Sequence, residues 1–285
     1  MNIIDGKKIK EEILDSIKKE IASLSFKPIF CDILIGEDRA SVQYVEMKKK
    51  NAEAIGIDFH NANFPISIST EDLVKEIEIL NKIQNMCGII VQLPLPKNLD
   101  QRKILDAIDT KLDVDCLGTL ASDRFYGGNA SVCPPTAMAC LKLLESLNLD
   151  NNSSTMLLRT KKIVVLGNGE LVGRPVSALL KLKGFNPIVI TSESENKKEI
   201  MKEADVIISG IGKGKFITKD MIKKGVILID AGTSESNGGI VGDVDFESVK
   251  DEVSFISPVP GGVGPVTIAM LFNNVLNVAK QKNVK

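Results

Sequence analysis

A glycine-rich loop is the first feature of this sequence with recognisable chemistry. The segment VVLGNGELVGRP, residues 164–175, follows an apolar run and leads into a helical pattern. In that context, glycines let backbone N–H groups approach a pyrophosphate at the positive end of a helix. The spacing is GxGxxxG, one residue longer than GxGxxG, so a tight turn without a ligand stays an alternative. The loop favours a dinucleotide site.

An acidic side chain follows the next apolar run. Glu193 comes twenty residues after Gly173, near the position where a carboxylate commonly accepts hydrogen bonds from an adenosine ribose. A glutamate there would repel a 2′-phosphate. A solvated loop glutamate is the open alternative.

Tyr44 and Lys48 form a second candidate constellation, because their spacing of four residues puts them on one face of a helix. On a lysine-rich helix, such a pair can also be an ordinary solvated face. The same YxxxK spacing occurs in short-chain dehydrogenases, but there it follows the nucleotide loop in the same domain. Here it precedes that loop by more than 110 residues, which argues against that family.

The composition limits the possible partners. Lys and Arg total 36 and Asp and Glu total 37 in 285 residues, so no net field favours nucleic acid or an acidic membrane. The single histidine, His60, excludes Ser-His and paired-His metal chemistry in practice. No metal site is expected. The cysteines are odd in number and lack a CxxC pair, which favours free thiols in the cytoplasm: Cys31, Cys87, Cys116, Cys133 and Cys140.

Helices and apolar strands alternate along the chain. Isoleucines at i+4 spacing predict a first helix over 9–21, and Ser41 is a candidate cap for the helix after the first strand. The other predicted helices run from Thr70 to about Ile83, from Thr136 to about Leu147 and from Pro265 to about Lys280. The predicted strands are apolar runs, as in buried parallel sheets: IFCDILI, GIIVQL, KKIVVLG, NPIVIT, ADVIISGI and VILIDAG. The pattern predicts an α/β protein with a domain boundary in 146–160.

Four more segments carry a family resemblance: IIVQLPLPKNLD (89–100), KLDVDCLG (111–118), VLGNGELVGRPVSALL (165–180) and SPVPGGVGPVT (257–267). In this order, they resemble the bifunctional methylenetetrahydrofolate dehydrogenase/cyclohydrolase family over the whole chain. The resemblance implies a catalytic folate-binding domain (1–148, with helix 265–285 returning to it) and a Rossmann-like NAD(P)-binding domain (149–264). It also implies folate bound between the domains and a homodimer formed through the nucleotide domain. The balanced charge gives no reason to expect nucleic acid or membrane partners.

Members of the family oxidise 5,10-methylenetetrahydrofolate with NAD(P)⁺ and hydrolyse the methenyl product to 10-formyltetrahydrofolate. The resemblance makes Lys48 the catalytic lysine, places Tyr44 and Leu93 at the folate, sets Gln92 beside Lys48 and has Asp115 hold the pteridine. It also predicts folate contacts at Pro260, Gly261 and Gly264. The predicted dinucleotide contacts are Gly167, Asn168, Gly169, Val172, Gly173, Arg174, Glu193, Ser194 and Thr233.

The chain departs from the family at two cofactor positions. Many members carry Arg-Ser after the first loop glycine and His-Ser after the second strand, whereas this chain has Asn168-Gly169 and Glu193-Ser194. The changes remove one cation and add an anion, which favours NAD over NADP. Arg174 is an alternative cation. Two other functions stay open: a member with one activity only, and a noncatalytic folate- or nucleotide-binding regulator.

Overall fold

The computed structural model describes residues 1–147, 158–236 and 239–283. Most of the predicted boundary segment, 146–160, lies outside the described residues. The chain divides into two compact units, one of Met1–Glu11 with Thr136–Met270 and the other of Glu12–Pro135 with Leu271–Lys285. We name them by their sheets: the six-stranded unit and the three-stranded unit.

The three-stranded unit is built on a parallel sheet of order β3-β2-β4. Its strands are β2 (Ile29–Ile35), β3 (Asp58–Phe64) and β4 (Met86–Val91), and its helices are α2 (Arg39–Ala54), α3 (Thr70–Leu80), α4 (Gln101–Asp106) and α5 (Thr119–Tyr126). Every residue of β4 is buried, as are six of the seven in the central strand β2. Burial on both sides explains why these strands read as continuous apolar runs.

The division between the units falls inside the first and last helices, α1 (Gly6–Ile21) and α10 (Val263–Asn283). The second half of α10 packs in the three-stranded unit, where Phe272 meets Phe30 edge-on with ring centroids 5.5 Å apart. The Asn274 amide donates to the carbonyls of Val114 and Cys133. The predicted return of the last helix is therefore confirmed.

The six-stranded unit has an all-parallel sheet of order β1-β11-β8-β7-β5-β6. Its strands are β1 (Asn2–Ile3), β5 (Ile163–Leu166), β6 (Ile188–Ile190), β7 (Val206–Ser209), β8 (Val226–Asp230) and β11 (Val253–Ile256). Strands β9 (Ser234–Ser236) and β10 (Gly239–Val241) form an antiparallel pair. The helices are α6 (Pro135–Glu145), α7 (Gly173–Leu182), α8 (Lys197–Glu203) and α9 (Phe246–Val249), with a 3₁₀ turn at Lys219–Met221.

The strand order places a crevice at the carboxyl ends of the strands of this sheet, beside β5. The chain leaves β5 for β6 on one side and then returns to β7 on the other side of β5. Ligands of doubly wound sheets bind beyond the carboxyl ends of the strands where the order reverses in this way. The glycine loop follows β5 directly, so the fold puts it at that crevice.

The α/β class and the parallel sheet are confirmed, and two local predictions are corrected. Helix α2 begins at Arg39 because Asp38 is its cap: the Asp38 carboxylate accepts the backbone N–H of Ser41, so Ser41 is the capped residue rather than the cap. Helix α3 ends at Leu80 rather than near Ile83.

The division at Pro135/Thr136 precedes the predicted bound at 148, because α6 packs with the six-stranded unit. The domain bounds predicted from the sequence stay a prediction. Among the described helices, none is both long and apolar enough to cross a bilayer.

Candidate functional site

Lys48 is a buried lysine, not part of a solvated face. Its side chain is 2% exposed on α2, whereas the side chain of Lys50 on the same helix is exposed. The Nζ atom donates to Gln92 Oε1 at 2.9 Å and lies 4.9 Å from the centroid of the Tyr44 ring. The structure therefore brings together three of the residues that the sequence singled out.

Gln92 follows the last residue of β4 and extends the pairing of that strand. Its backbone N–H donates to the carbonyl of Ile33 at 2.8 Å, and its Nε2 donates to the carbonyl of Leu93 at 3.2 Å. Both ends of the Gln92 amide are thus engaged, and the amide oxygen is aimed at Lys48.

Asp32 is a site residue that the sequence analysis missed. It lies in the central strand β2, is fully buried, and its Oδ2 lies 2.5 Å from Lys48 Nζ. Burial raises the pKa of the Asp32 carboxyl, while the charge of Lys48 opposes that rise. A single charged residue inside the apolar run IFCDILI was the signal that could have identified it.

Asp115 lies on a loop held by a second buried carboxylate, Asp113. The Asp113 side chain accepts the N–H of Asp115 at 3.2 Å and that of Gly118 at 2.8 Å. Burial and the charge of Asp113 raise the pKa of Asp115 to about 7, with Lys48 acting in the opposite direction and Asp32 adding to the rise. Burial, and then Asp115 and Asp32, raise the pKa of Tyr44 to about 12. One ammonium thus lies among several carboxyl groups.

In the six-stranded unit, the glycine loop has two positions that exclude a side chain. Gly167 has a φ of +101°, and a Cβ on Gly173 would lie 2.2 Å from the carbonyl oxygen of Gly167. Gly169 differs, because a Cβ there would meet nothing within 4 Å. The loop therefore folds tightly against the start of α7 at its two ends and leaves open space in its middle.

A pocket of about 550 Å³ opens beside this loop. Three of the residues that the sequence assigned to the dinucleotide, Gly167, Asn168 and Gly169, line it. Val172, Gly173, Arg174 and Thr233 do not line it, and neither do Glu193 and Ser194. The residues Thr191, Ser192, Lys197, Lys198, Ile211 and Lys213 line it and were not predicted.

The predicted pair after β6 lies beside the pocket rather than in its wall. Glu193 is exposed, and the Ser194 hydroxyl accepts the N–H of Thr191 at 2.9 Å, which turns the chain. The neighbouring lysines are engaged within the protein. Lys197 donates to the carbonyl of Ser192, and Lys198 pairs with Asp220.

A buried aspartate shapes the other wall of the pocket. Asp243 accepts three hydrogen bonds from the end of β7 and the segment that follows it. The donors are the Ser209 hydroxyl at 2.7 Å and the N–H groups of Ile211 and Lys213 at 2.8 and 2.7 Å. Its position depends on Asp230, whose carboxylate accepts the N–H of Asp243 at 3.1 Å. Burial raises the pKa of Asp230 to about 6.

Pro260, Gly261 and Gly264 lie in the six-stranded unit, between β11 and the early turns of α10. The N–H of Gly262 donates to the carbonyl of Pro258 at 2.7 Å, which closes the turn that carries Pro260 and Gly261. Gly264 is the second residue of α10. A Cβ on Gly264 would meet nothing within 4 Å.

The groups that could ligate a metal do not converge. In the ranges that the structure covers, no three His, Cys, Asp or Glu side chains gather in a metal-binding arrangement. All five cysteines lie in those ranges and are free, and His60 is exposed on β3.

Comparison with known proteins matches both parts of the chain. The catalytic domain of tetrahydrofolate dehydrogenase/cyclohydrolase matches residues 4–115, and the NAD(P)-binding domain of the same family matches residues 134–283. Among curated relatives, the bifunctional protein FolD of Nautilia profundicola is 40% identical over 291 residues, with 100% of both chains covered.

Solved structures agree with this assignment. The bifunctional FolD enzyme of Campylobacter jejuni superposes with a TM-score of 0.92 at 34% identity, covering 99% of each chain. The Trypanosoma brucei methylenetetrahydrofolate dehydrogenase-cyclohydrolase, solved with NADP and an inhibitor, gives a TM-score of 0.89 at 31% identity, covering 98% of this chain and 97% of that one. By sequence and by structure, this chain belongs to the tetrahydrofolate dehydrogenase/cyclohydrolase family.

Proposed function

We propose that the protein oxidises 5,10-methylenetetrahydrofolate to the 5,10-methenyl form with a nicotinamide cofactor and hydrolyses that product to 10-formyltetrahydrofolate. The observation that carries the proposal is the buried Lys48, held by Gln92 and Asp32 in a chain of this family. A solvated lysine would be fully charged and interchangeable with its neighbours. A buried and paired lysine can exchange a proton within the site.

The pocket beside the glycine loop fits a nicotinamide dinucleotide. The open space at Gly169 lets a ligand approach the backbone, and the start of α7 offers the positive end of a helix dipole. Gly167, Asn168 and Gly169 would hold the pyrophosphate, and the bound nicotinamide supplies the hydride acceptor of the first step.

In the hydrolytic step, we propose Lys48 as the general base. Loss of a hydride leaves the methenyl group cationic, so a neutral amine at Lys48 is favoured over a second cation beside it. The amine takes a proton from water as the water oxygen bonds to the methenyl carbon. Gln92 orients the amine through its amide oxygen without adding charge.

Asp115 is proposed to hold the pteridine. Its ionised carboxylate can accept two hydrogen bonds, one from a pteridine amino group and one from a ring N–H. Tyr44, which is neutral because burial raises its pKa to about 12, offers a flat surface for the folate without a competing charge. Leu93, Pro260, Gly261 and Gly264 are proposed to complete the folate contacts.

The substitution Lys48→Met tests the base. We expect at least a hundredfold loss of methenyltetrahydrofolate hydrolysis, within the range that general bases contribute. Lys50→Met, on the exposed side of the same helix, is the matched control and should hydrolyse normally. Binding of the dinucleotide, followed by fluorescence, reports whether each variant is folded. Near-normal hydrolysis by Lys48→Met would refute the assignment.

We also propose that the cofactor preference is for NAD. Neither the loop, with Asn168 and Gly169, nor the end of β6 supplies the arginine that would pair with a 2′-phosphate. Lys197 and Lys198 line the pocket but already have partners, and Glu193 adds a negative charge beside them.

Initial rates with the two cofactors test this preference. We expect kcat/KM to be at least about tenfold higher with NAD than with NADP, which is roughly 1.4 kcal/mol. Glu193→Gln should lower the ratio of kcat/KM with NAD to kcat/KM with NADP, because it removes the negative charge of Glu193 and keeps the size of the side chain. A strong NADP preference would instead assign the 2′-phosphate to Lys197 and Lys198.

The assembly and location are further proposals. We propose a homodimer formed through the six-stranded unit, supported by the family resemblance and by exposed apolar residues there: Leu171, Leu182, Ile188 and Ile240. Sedimentation velocity would test it. The free thiols support a location in the reducing cytoplasm.

A further inference from the structure

Asp32 occupies a position where a charge is costly. It lies in β2, the central strand of a parallel sheet, with Asn61 of β3 and Ile90 of β4 as its register partners. Its side chain is 0% exposed. A carboxylate in such a place requires a strong compensating interaction or must become neutral.

Other buried aspartates of the described chain show what ordinary compensation looks like. Asp113, Asp230 and Asp243 each accept backbone N–H groups and so organise a loop. Asp32 differs, because neither of its oxygens has a hydrogen-bond partner with good geometry among the described residues. Its close polar contact is the ion pair with Lys48. Asp32 therefore fixes no loop in the described part of the chain, and its ion-pair partner is the proposed base.

We propose that Asp32 is a positioning residue that takes and stores the proton of Lys48. The Oδ2 and Nζ atoms lie 2.5 Å apart, which is within the distance of a charge-assisted hydrogen bond, so a small change in the angle between the two groups lets the proton cross directly. This inference rests on the proposed function, because it gives Lys48 its neutral form for the hydrolytic step.

The proton transfer is balanced within the pair. An N–H bond of the Lys48 ammonium breaks, an O–H bond forms on Asp32, and an ion pair becomes an amine beside a carboxylic acid. No charge enters or leaves. When the amine then takes a proton from water, the positive charge lost by the methenyl group appears on Lys48, so the total charge of the site stays constant.

The surroundings favour the neutral acid. Burial raises the pKa of Asp32. The charged or titratable groups that act on it are Lys48 and Tyr44 from α2, Asp115 from the loop between α4 and α5, and Cys31 from its own strand. With one ammonium for two carboxyls, protonation of Asp32 also relieves the repulsion of Asp115. A cationic folate beside Lys48 would add to this preference, because it disfavours the ammonium.

The test is the pH dependence of hydrolysis by Asp32→Asn, which keeps the size of the side chain but cannot store the proton. In the wild type, the ion pair and the neutral pair contain the same number of protons, so their ratio does not depend on pH. In the variant, Lys48 must release its proton to solvent. The ratio of kcat, variant to wild type, should therefore be below one and should rise with pH above pH 7.5, by at most tenfold per pH unit. The comparison is made above pH 7.5, because the pKa of Asp115 is about 7 and Asp32 contributes to it, so that Asp115 is mostly ionised in both enzymes there.

Asp32→Val, which suits an apolar strand, is the second variant and should give the same slope. Cys31→Ala, at the neighbouring buried position of β2, is the control and should retain the wild-type profile. The KM for methenyltetrahydrofolate should change less than about twofold in both Asp32 variants, because Asp32 is buried away from solvent.

If the ratio of kcat, variant to wild type, were independent of pH, or if kcat were unchanged, the proposal would be overturned. Asp32 would then have only a packing role. The pH profile of the wild-type enzyme also tests the proposal, even if neither variant folds. Its kcat should be flat from about pH 8 to 9, and a tenfold rise per unit there would contradict internal proton storage. Failure of the proposed function is separate, since the wild type would then not hydrolyse methenyltetrahydrofolate at all.

Discussion

The Lys48 amine lies 2.5 Å from the Asp32 carboxylate, and its charge also acts on Asp115. With so few cations among these carboxyls, protonation at one residue changes the charge preferred at the next. The chemistry of the site is therefore a property of the group rather than of a single residue.

Asp115 gives the site a pH limit that can be measured. Its pKa is raised to about 7, so the carboxylate that would hold the pteridine is lost as the pH falls through 7. At pH 6, about one tenth of Asp115 is ionised, and kcat/KM for the folate should be about tenfold lower than at pH 8.

In Asp115→Asn, residue 115 cannot ionise, so the rise of kcat/KM between pH 6 and pH 8 should be absent and kcat/KM should be low at both pH values. If kcat/KM of Asp115→Asn still rose between pH 6 and pH 8, another group would be responsible for the pH dependence.

The raised pKa of Asp115 also makes the free energy of unfolding depend on pH. The folded state binds more protons than the unfolded state between about pH 4 and 7, so ionisation of Asp115 lowers stability as pH rises through that window.

The family resemblance singled out Tyr44, Lys48, Gln92 and Asp115 from the sequence. The structure brings the first three of these residues together. The sequence analysis did not identify Asp32. Periodicity assigned IFCDILI to a buried strand, but the partner of its aspartate comes from a helix sixteen residues on, and no local pattern predicts that contact.

At the scale of elements, the connection between β5 and α7 depends on two glycines with different requirements. Gly173→Ala would place a Cβ 2.2 Å from the carbonyl oxygen of Gly167. The helix start must then shift, which we expect to cost about 2 kcal/mol of unfolding free energy and to raise the dinucleotide KM by about tenfold or more.

Gly169→Ala is the matched control, because its Cβ would enter open space. Its unfolding free energy should lie within about 0.5 kcal/mol of the wild type. Denaturant titration and dinucleotide kinetics of the two variants give the comparison. Equal stability of Gly173→Ala and wild type would contradict the tight turn described here.

Elements with strong apolar runs were predictable, and weak ones were not. Strand β3 was missed because most of its residues, DFHNANF, are exposed at the edge of the sheet. Strand β1 has two residues and depends on pairing with β11, about 250 residues away in sequence. Such strands form through tertiary pairing, which single-sequence patterns do not contain.

At the scale of the whole molecule, the α/β class and the family assignment came from the sequence, because the segments VQLPLP and PVPGGVGP are specific. The sequence did not predict the bounds of the two compact units. Helix α6 has an amphipathic pattern that suits either unit, and only its packing assigns it to the six-stranded unit.

The absorbance of methenyltetrahydrofolate, followed with purified wild-type protein, tests the two proposed activities most directly. With methylenetetrahydrofolate and a nicotinamide dinucleotide, the methenyl form should appear. With methenyltetrahydrofolate alone, it should disappear faster than in buffer, without any dinucleotide. Loss of one of these signals would indicate a member with one activity. Absence of both, in a protein that still binds folate or dinucleotide, would contradict the account and indicate a noncatalytic binding protein.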